Sequence, residues 1–251
     1  SKLKLGAVIP VDLYGHPVDM EPIQKLSQKY NFKVIQDASE SLGAFYKEQP
    51  VGSYNSIVTL SFNANKIITT GGGGMVLTND ENVLKKIKHL SNQAKADSIE
   101  FEHDCVGYNY RLPSLNAALG VSQVHKLTDF IDKKRKIFNF YKNTLKEIDG
   151  VFVHNECEWA KSSYWMPILQ LCENRFKNGI SPLIQFLLQN KTQVRPVWKP
   201  LHTLKPFKDE FSYNLVNSVA FHGKSLCLPC STSITSQELE IVVEQIKEYA
   251  S

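Results

Sequence analysis

In the first part of the chain, apolar residues form short β-rich runs that alternate with stretches of helical periodicity. Residues 5–11 form a continuous apolar run, which is typical of a strand buried on both faces of a parallel sheet. Residues 20–30 place apolar side chains on one helical face, and Asp19 precedes them at the capping position. Another short apolar run follows at 34–37. This order predicts two parallel strands joined by a right-handed helical crossover.

The rest of the chain has longer helical stretches separated by short β-rich runs. Helical periodicity covers residues 81–90, 115–124, 127–148, 181–189 and 236–249, and β-rich runs cover 57–60, 75–78, 164–169 and 225–228. Asp149 and Gly150 end the longest helix and mark a predicted domain boundary. We therefore predict an α/β domain with a mostly parallel sheet over residues 1–149, and a small α+β domain over residues 150–251.

Four consecutive glycines, residues 71–74, lie between the β-rich runs at 57–60 and 75–78. Glycine tolerates positive φ and close backbone approach, so this pattern predicts a strand, a tight turn and a returning strand. Lys66 would then be held on a rigid hairpin beside Ser61. A desolvated lysine has a lowered pKa and can form a Schiff base with an aldehyde. The alternative is a solvated lysine near an ordinary turn.

An aspartate closes the run at 34–37. Ligands of open parallel sheets bind beyond the carboxyl ends of the strands, which is where Asp37 is expected to lie. An acid at this place, together with a lysine on a later strand, is the pair that pyridoxal phosphate requires. The lysine bonds to the cofactor, and the acid keeps the pyridine ring protonated. The alternative for Asp37 is the N-cap of a helix that follows the strand.

Composition and charge exclude several classes of function. The chain of 251 residues has 42% hydrophobic and 22% charged residues, which are ordinary values for a globular protein. Its formal net charge of +4 is too small to indicate nucleic acid binding, and we interpret the basic run at 133–136 as a solvated helix face. Apolar runs stay well below the ~18 residues of a membrane span.

The cysteines indicate a reducing compartment. The chain has five of them, an odd and dispersed set. Cys227 and Cys230 form a CxxC pair, but a second Cys or His pair for zinc is missing, so we predict no metal site. We expect all five to be buried thiols in a cytoplasmic protein.

Three motifs in order resemble the DegT/DnrJ-type sugar aminotransferases. They are Asp-Ala-Ser-Glu-Ser-Leu-Gly-Ala at 37–44, Ser-Phe-Asn-Ala-Asn-Lys at 61–66 with Gly-Gly-Gly-Gly-Met at 71–75, and Gly-Tyr-Asn-Tyr-Arg at 107–111. The resemblance runs from near Val8 to the C-terminus. It implies a pyridoxal-phosphate-dependent enzyme of fold type I that acts on nucleotide-linked keto-sugars. The sequence is most similar to bacterial 4-aminotransferases for UDP-linked 4-keto-6-deoxy amino sugars, including those of the legionaminic-acid type.

The resemblance also implies roles for individual residues. Lys66 would bond to the cofactor and then act as general acid and base, while Asp37 would hold the pyridinium proton. Ser61 would bind the cofactor phosphate, Asn109 would bind it from the partner subunit of a homodimer, and Glu40 would lie near the 3′-oxygen of the ring. The implied substrates are an amino acid, usually L-glutamate, and a nucleotide-linked 4-keto-6-deoxy sugar used in surface-polysaccharide biosynthesis.

The sequence departs from the family pattern at two positions. Asp12 stands where members usually carry histidine, which leaves the role of its loop open, and Ala64 replaces a common glycine. The dehydratase branch of the family has histidine in place of the lysine, so Lys66 argues against that branch.

The cofactor needs more contacts than these motifs supply. In the family, a helix N-terminus for the phosphate and an aromatic ring that stacks on the cofactor come from a segment well upstream of the position of Asp37. We therefore expect the chain to be the later part of a sugar aminotransferase. By itself it should bind pyridoxal phosphate weakly or not at all and should have no transaminase activity. The alternative is a non-catalytic remnant that keeps the fold and acts as an interaction module.

Overall fold

The computed structural model describes residues 4–54, 57–97 and 99–251. The chain divides into two compact units. The first unit comprises Ser1–Ile131 and Cys157–Ser163, and the second unit comprises Asp132–Glu156 and Tyr164–Ser251. The residues of the sheet edge that carry the candidate chemistry all belong to the first unit. A domain boundary at 149/150 stays a prediction.

Helices and strands occur at most of the predicted places. The elements up to the longest helix are β1 (Ala7–Val8), α1 (Met20–Tyr30), β2 (Lys33–Val34), β3 (Gln36–Asp37), β4 (Phe45–Tyr46), β5 (Gln49–Pro50), β6 (Ile57–Ser61), β7 (Gly74–Thr78), α2 (Glu81–Ser91), α3 (Ser114–Val124) and α4 (Leu127–Leu145). Those after it are β8 (Val151–Val153), β9 (Ala160–Lys161), β10 (Ile168–Leu171), α5 (Ser181–Gln189), β11 (Arg195–Pro196), α6 (Val216–Lys224), β12 (Ser225–Cys227) and α7 (Ser236–Ala250).

The strands of the first unit confirm the predicted parallel crossover. β1 and β2, which α1 connects, pair in parallel with Val8 opposite Val34. β3 pairs in parallel with β6, and β7 runs antiparallel to β6. Because the carboxyl ends of parallel strands meet at the same edge of a sheet, Asp37 at the end of β3 and Ser61 at the end of β6 share that edge.

The first strand is shorter and more exposed than its apolar run predicts. Pairing in β1 covers only Ala7 and Val8, although the backbone N–H of Asp12 still donates to the oxygen of Asp37 at 3.0 Å. Leu5 and Ile9 are 51% and 61% exposed, so the prediction of burial on both faces is wrong. Within the described residues, β1 pairs with β2 alone.

The cap of α1 differs from the predicted one in chemistry. Asp19 occupies the N-cap position, but its side chain accepts no hydrogen bond from the first turn. It accepts one from the hydroxyl of Tyr46 at 2.6 Å instead. Met20, at the start of the helix, is fully buried in a cluster with Phe32, Val34 and Tyr46. The carboxylate therefore ties α1 to β4 rather than closing its own helix end.

The second unit combines α5, α6, α7 and most of α4 with a four-stranded sheet of order β11–β12–β10–β8, in which every neighbouring pair is antiparallel. Its core includes Tyr141 of α4, Leu183 of α5 and Ile246 of α7. The strand predicted at 164–169 begins later, at Ile168. Tyr164 has a φ of +46°, which a strand does not accommodate, and its ring stacks on another aromatic ring of the second unit.

The basic run on α4 is only in part the solvated face that its sequence predicted, since Lys133 and Lys136 are exposed and the two residues between them are not. Lys134 is buried, and its Nζ donates to the backbone oxygens of Trp165 at 3.0 Å and Cys230 at 2.6 Å. Arg135 forms a two-pronged pair with Glu156 at 2.9 and 2.7 Å. A continuous basic run winds round a helix, so part of it reaches the core side, where a long side chain finds backbone acceptors.

The described cysteines are free, but not all are buried. Cys227 is buried, whereas Cys105 and Cys157 are exposed, so the prediction of five buried thiols is wrong. Both exposed cysteines lie in irregular segments outside the helices and strands, where the apolar pattern gives no prediction of burial.

Among the described helices, none combines the length and the apolar character needed to cross a membrane.

Candidate active site

The segment between β6 and β7 forms a wide loop instead of the predicted tight turn. Antiparallel pairing ends with Ser61 opposite Gly74, and the N–H of Phe62 continues it by donating to the oxygen of Gly73 at 2.9 Å. The prediction of a tight turn is wrong, because residues 63–72 fold into turns of their own. One of them begins at Asn63, whose oxygen accepts the N–H of Lys66 at 3.0 Å.

The glycine run meets the two backbone requirements that the sequence predicted. Gly73 has a φ of +104°, and a Cβ added there would lie 2.6 Å from Cδ1 of Leu112. A Cβ on Gly74 would lie 2.5 Å from the backbone oxygen of Leu60. Only glycine fits both positions without a shift of the neighbouring atoms.

Lys66 lies in an enclosed and acidic place. Its side chain is 13% exposed, that of Glu40 is 11% exposed, and the Lys66 Nζ lies 3.8 Å from Oε1 of Glu40. Burial lowers the pKa of the Lys66 ammonium, while the negative charges of Glu40 and Asp37 oppose that shift. This environment disfavours the alternative of a solvated lysine, because an exposed amine would not lose hydration.

Asp37 is fixed by two donors at the carboxyl end of β3. Its Oδ1 accepts the N–H of Ser39 at 3.0 Å and the hydroxyl of Thr59 at 3.3 Å. The residues after Asp37 form turns rather than a helix, so the alternative of a helix N-cap is wrong. The carboxylate is instead held rigidly at the sheet edge, where the sequence pattern placed it.

Glu40 is held by a backbone donor that the sequence did not indicate. Its Oε2 accepts the N–H of Tyr14 at 2.7 Å, while Oε1 faces Lys66. Tyr14 has a φ of +57°, a left-handed conformation that turns its N–H toward the carboxylate. A backbone donor far away in sequence leaves no trace in residue type, so only the fold shows this contact.

Asp12 is a fully buried acid in the same region. Its Oδ1 accepts the N–H of Val18 at 2.9 Å, and its Oδ2 accepts Nε2 of Gln36 at 2.8 Å and the hydroxyl of Ser41 at 2.6 Å. Desolvation raises the pKa of Asp12, and these three donors oppose the rise. The sequence marked Asp12 only as a departure from a family pattern.

The two remaining predicted residues are Ser61, at the end of β6, and Asn109, beside the end of α2. Ser61 is half-buried at the end of β6, and its Oγ accepts the N–H of Asn63 at 3.3 Å. Asn109 is exposed, in a segment that runs beside the end of α2 and pairs with Asn92. The N–H of Tyr108 donates to the oxygen of Leu90 at 2.7 Å, which fixes this segment to the helix.

The glycine run and the third motif meet at a cavity of about 500 Å³. Its lining includes residues 72–76 from the glycine run and β7, and residues 110–113 from the end of the third motif and the two positions after it. Asn116 also lines it. Segments about 40 residues apart in the sequence are thus brought together by the fold of the first unit.

Sequence comparison agrees with the arrangement of these motifs. The sequence matches the DegT/DnrJ/EryC1/StrS aminotransferase family over residues 3–247. The chain belongs to this family. The match includes Asp37, Glu40, Lys66 and Asn109, and it confirms the resemblance drawn from the three motifs.

Two relatives are similar over nearly the whole chain. One is "Putative pyridoxal phosphate-dependent aminotransferase EpsN" of Bacillus subtilis, 38% identical over 95% of this chain and 62% of the relative. The other is GDP-perosamine synthase of Escherichia coli O157:H7, 35% identical over 99% of this chain and 66% of the relative. The chain thus spans about two thirds of the length of these relatives.

A solved structure shares the fold. Helicobacter pylori PseC, an aminotransferase involved in the biosynthesis of pseudoaminic acid, has a TM-score of 0.90 at 25% identity. The alignment covers 97% of this chain and 66% of that chain. This likeness confirms the predicted α/β class with the fold-type I architecture of the family.

Proposed function

We propose that the protein is a pyridoxal-phosphate-dependent aminotransferase that moves an amino group from an amino acid, L-glutamate by preference, to C4 of a nucleotide-linked 4-keto-6-deoxy sugar for surface-polysaccharide biosynthesis. The observation that carries the proposal is the enclosed Lys66, with a lowered pKa, beside Glu40 at the sheet edge that holds Asp37. Family membership supports the reaction, and the names of the relatives support a nucleotide-sugar acceptor.

The residues present fit the cofactor chemically. Pyridoxal phosphate needs a nucleophilic amine, and the Lys66 amine is kept partly desolvated. It needs a fixed carboxylate for its ring nitrogen, and Asp37 is held by Ser39 and Thr59. Ser61, at the same edge, offers a hydroxyl for the phosphate. When bound, the group supplies an aldehyde carbon for the amine and a protonated ring that withdraws electrons.

Lys66 carries two tasks in this account. Its neutral amine would hold the cofactor, and the same amine, when free, would take up and return a proton at the substrate carbon. A lowered pKa serves both tasks, because the amine is neutral in a larger fraction of molecules at neutral pH. Glu40 keeps a negative charge 3.8 Å away, which prevents the pKa from falling as far as burial alone would bring it.

The proposal includes a homodimer whose sites are completed in trans by Asn109. Exposed apolar side chains on α3 support an interface in this part of the first unit, since large apolar patches mark association surfaces. They are Leu115, Leu119, Val121 and Val124, with exposures of 84%, 42%, 61% and 50%. Asn109 itself is exposed and thus accessible to a partner.

Isotope transfer tests the proposed reaction. The full-length protein, loaded with cofactor, is incubated with ¹⁵N-labelled L-glutamate and with GDP-, UDP- or dTDP-linked 4-keto-6-deoxy sugars, and the sugars are analysed by mass spectrometry. We expect label in the amino group of at least one nucleotide sugar. Lys66→Ala should abolish the transfer, and Lys25→Ala, a matched change at an exposed lysine, should not. Cofactor-loaded protein that transfers no label to any of them would favour the non-catalytic alternative.

A further inference from the structure

We propose that Asp12 is a positioning residue that holds Glu40 beside Lys66. Asp12 lies on the loop after β1, and Glu40 lies on the turn after β3. The claim concerns the protein without cofactor, so its test is independent of the proposed function. Its consequence for catalysis rests on that function, because Lys66 is the residue whose charge Glu40 controls.

Two hydrogen bonds and two short stretches of backbone form a closed ring between these residues. The hydroxyl of Ser41 donates to Oδ2 of Asp12 at 2.6 Å, and Ser41 is the direct neighbour of Glu40. The carboxylate of Glu40 accepts the N–H of Tyr14 at 2.7 Å, and Tyr14 lies two residues after Asp12. The two hydrogen bonds therefore join the same two short segments, residues 12–14 and residues 40–41, so each bond helps to hold the partners of the other in place.

Further contacts prevent the ring from moving as a body. Gln36 of β3 donates to Asp12 at 2.8 Å, and the N–H of Val18 donates at 2.9 Å from the far end of the same loop. The backbone N–H of Asp12 donates to the oxygen of Asp37 at 3.0 Å. Asp12 thus connects its own loop, the strand that carries Asp37 and the turn that carries Glu40.

The chemistry of the site favours an acid at residue 12. The three side-chain contacts of Asp12 are all with donors, and the residue is fully buried. A carboxylate accepts from every one of them, whereas an asparagine amide would turn a donor of its own toward at least one. A buried donor facing another donor is costly, so the turn with Glu40 should move when Asp12 becomes asparagine.

A cycle of variants measures whether Asp12 acts through Glu40. The negative groups that face Lys66 are Glu40 and Asp37, and both raise its pKa. Removing the charge with Glu40→Gln should therefore shift the pH midpoint of Lys66 reactivity to lower pH. Reductive methylation with formaldehyde and cyanoborohydride, followed by peptide mass spectrometry across a pH series, reports that midpoint. When Asp12→Asn is already present, Glu40→Gln should shift the midpoint by less than about half of the shift that it causes in the wild-type protein.

Two further variants make the result decisive. Ser41→Ala removes one hydrogen bond of the ring without changing a charge. It should also reduce the shift in the Lys66 midpoint that Glu40→Gln causes. If Asp12→Asn fails to fold, this variant provides the test instead. Asp19→Asn is the matched control, since Asp19 is also an acid with a hydroxyl donor but contacts Tyr46 instead. It should leave the shift at its original size. An unchanged shift in Asp12→Asn or, if that variant fails to fold, in Ser41→Ala would overturn the proposal, as would an equal reduction in Asp19→Asn.

Discussion

At the scale of single residues, burial and charge compete at Lys66. Burial makes the ammonium form costly, and two carboxylates restore part of its stability. The net effect is a lowered pKa for Lys66, although its Nζ lies 3.8 Å from the carboxylate of Glu40. A lysine of this kind is more reactive toward aldehydes near neutral pH than an ordinary one.

The pH dependence of Lys66 labelling follows from this balance. A lower pKa means a larger neutral fraction at any pH below it, so the methylation rate of Lys66 should reach half of its plateau at lower pH than 10.5, the ordinary lysine value. Peptide mass spectrometry follows Lys66 and the exposed Lys25 in the same digest. A Lys66 midpoint at or above the ordinary value would contradict the burial that we describe.

Asp37→Asn should remove most of the turnover and leave the fold intact. An amide has nearly the same shape and still accepts from Ser39 and Thr59, but it cannot stabilise a protonated ring nitrogen. The loss in kcat/KM should correspond to roughly 3–4 kcal/mol, the scale of one preorganised electrostatic contact. Circular dichroism of the variant checks the fold, and near-normal turnover would reduce Asp37 to a structural role.

The sequence predicted the chemical side chains of the site but not what holds them. Lys66 and Asp37 were identified because residue type and position indicate chemistry, and Glu40 was identified through the family resemblance. The N–H of Tyr14 and the hydroxyl of Thr59 were missed, because they act through the backbone or across strands. Such contacts depend on strand register and on a left-handed residue, and neither can be seen in residue types alone.

At the scale of elements, the glycine run shapes the loop that carries Lys66. Gly73→Ala should destabilise the protein by roughly 1–2 kcal/mol, because an alanine at positive φ is strained and its Cβ would meet Leu112. Gly72→Ala is the matched control, since a Cβ there has nothing within 4 Å. Urea unfolding of both variants measures the difference, and equal effects would contradict the close packing at Gly73.

On α4, a buried lysine and an exposed one are direct neighbours, so their contributions to stability can be compared. Lys134→Met should cost about 1–3 kcal/mol, because it removes the lysine donor from the oxygen of Cys230 and leaves the oxygen of Trp165 with the weak thiol donor of Cys230. Lys133→Met, at an exposed position of the same helix, should change stability by less than about 0.5 kcal/mol. Chemical unfolding again provides the measurement. Equal losses would mean that the buried Lys134 contributes no more to stability than the exposed Lys133.

Element types were predictable where periodicity and end signals agree. The bounds predicted for α5 are those observed, because a proline in the first turn marks its start. The start of β10 was not predictable, since the left-handed Tyr164 depends on a stacked partner elsewhere in the second unit. The exposure of β1 depends on what packs over its two faces, and no local pattern records that.

At the scale of the whole molecule, the proposal requires two subunits for one site. Inactive Lys66→Ala and Asn109→Ala variants should regain activity when they are mixed and allowed to exchange subunits, because one site of the mixed dimer then has both residues. At most about a quarter of the wild-type activity is expected, since half of the dimers are mixed and one site in each is intact. A monomer by sedimentation, or a mixture as inactive as its parts, would contradict sharing of the site.

The central claim is that Lys66 is the amine that takes up the cofactor. Borohydride reduction of the cofactor-loaded protein makes that bond permanent, and peptide mapping by mass spectrometry then locates the pyridoxyl group. We expect the pyridoxyl group on the peptide that contains Lys66. In Lys66→Arg, the corresponding peptide should carry no pyridoxyl group. A pyridoxyl group found in the wild-type protein on a different lysine, with Lys66 unmodified, would contradict it.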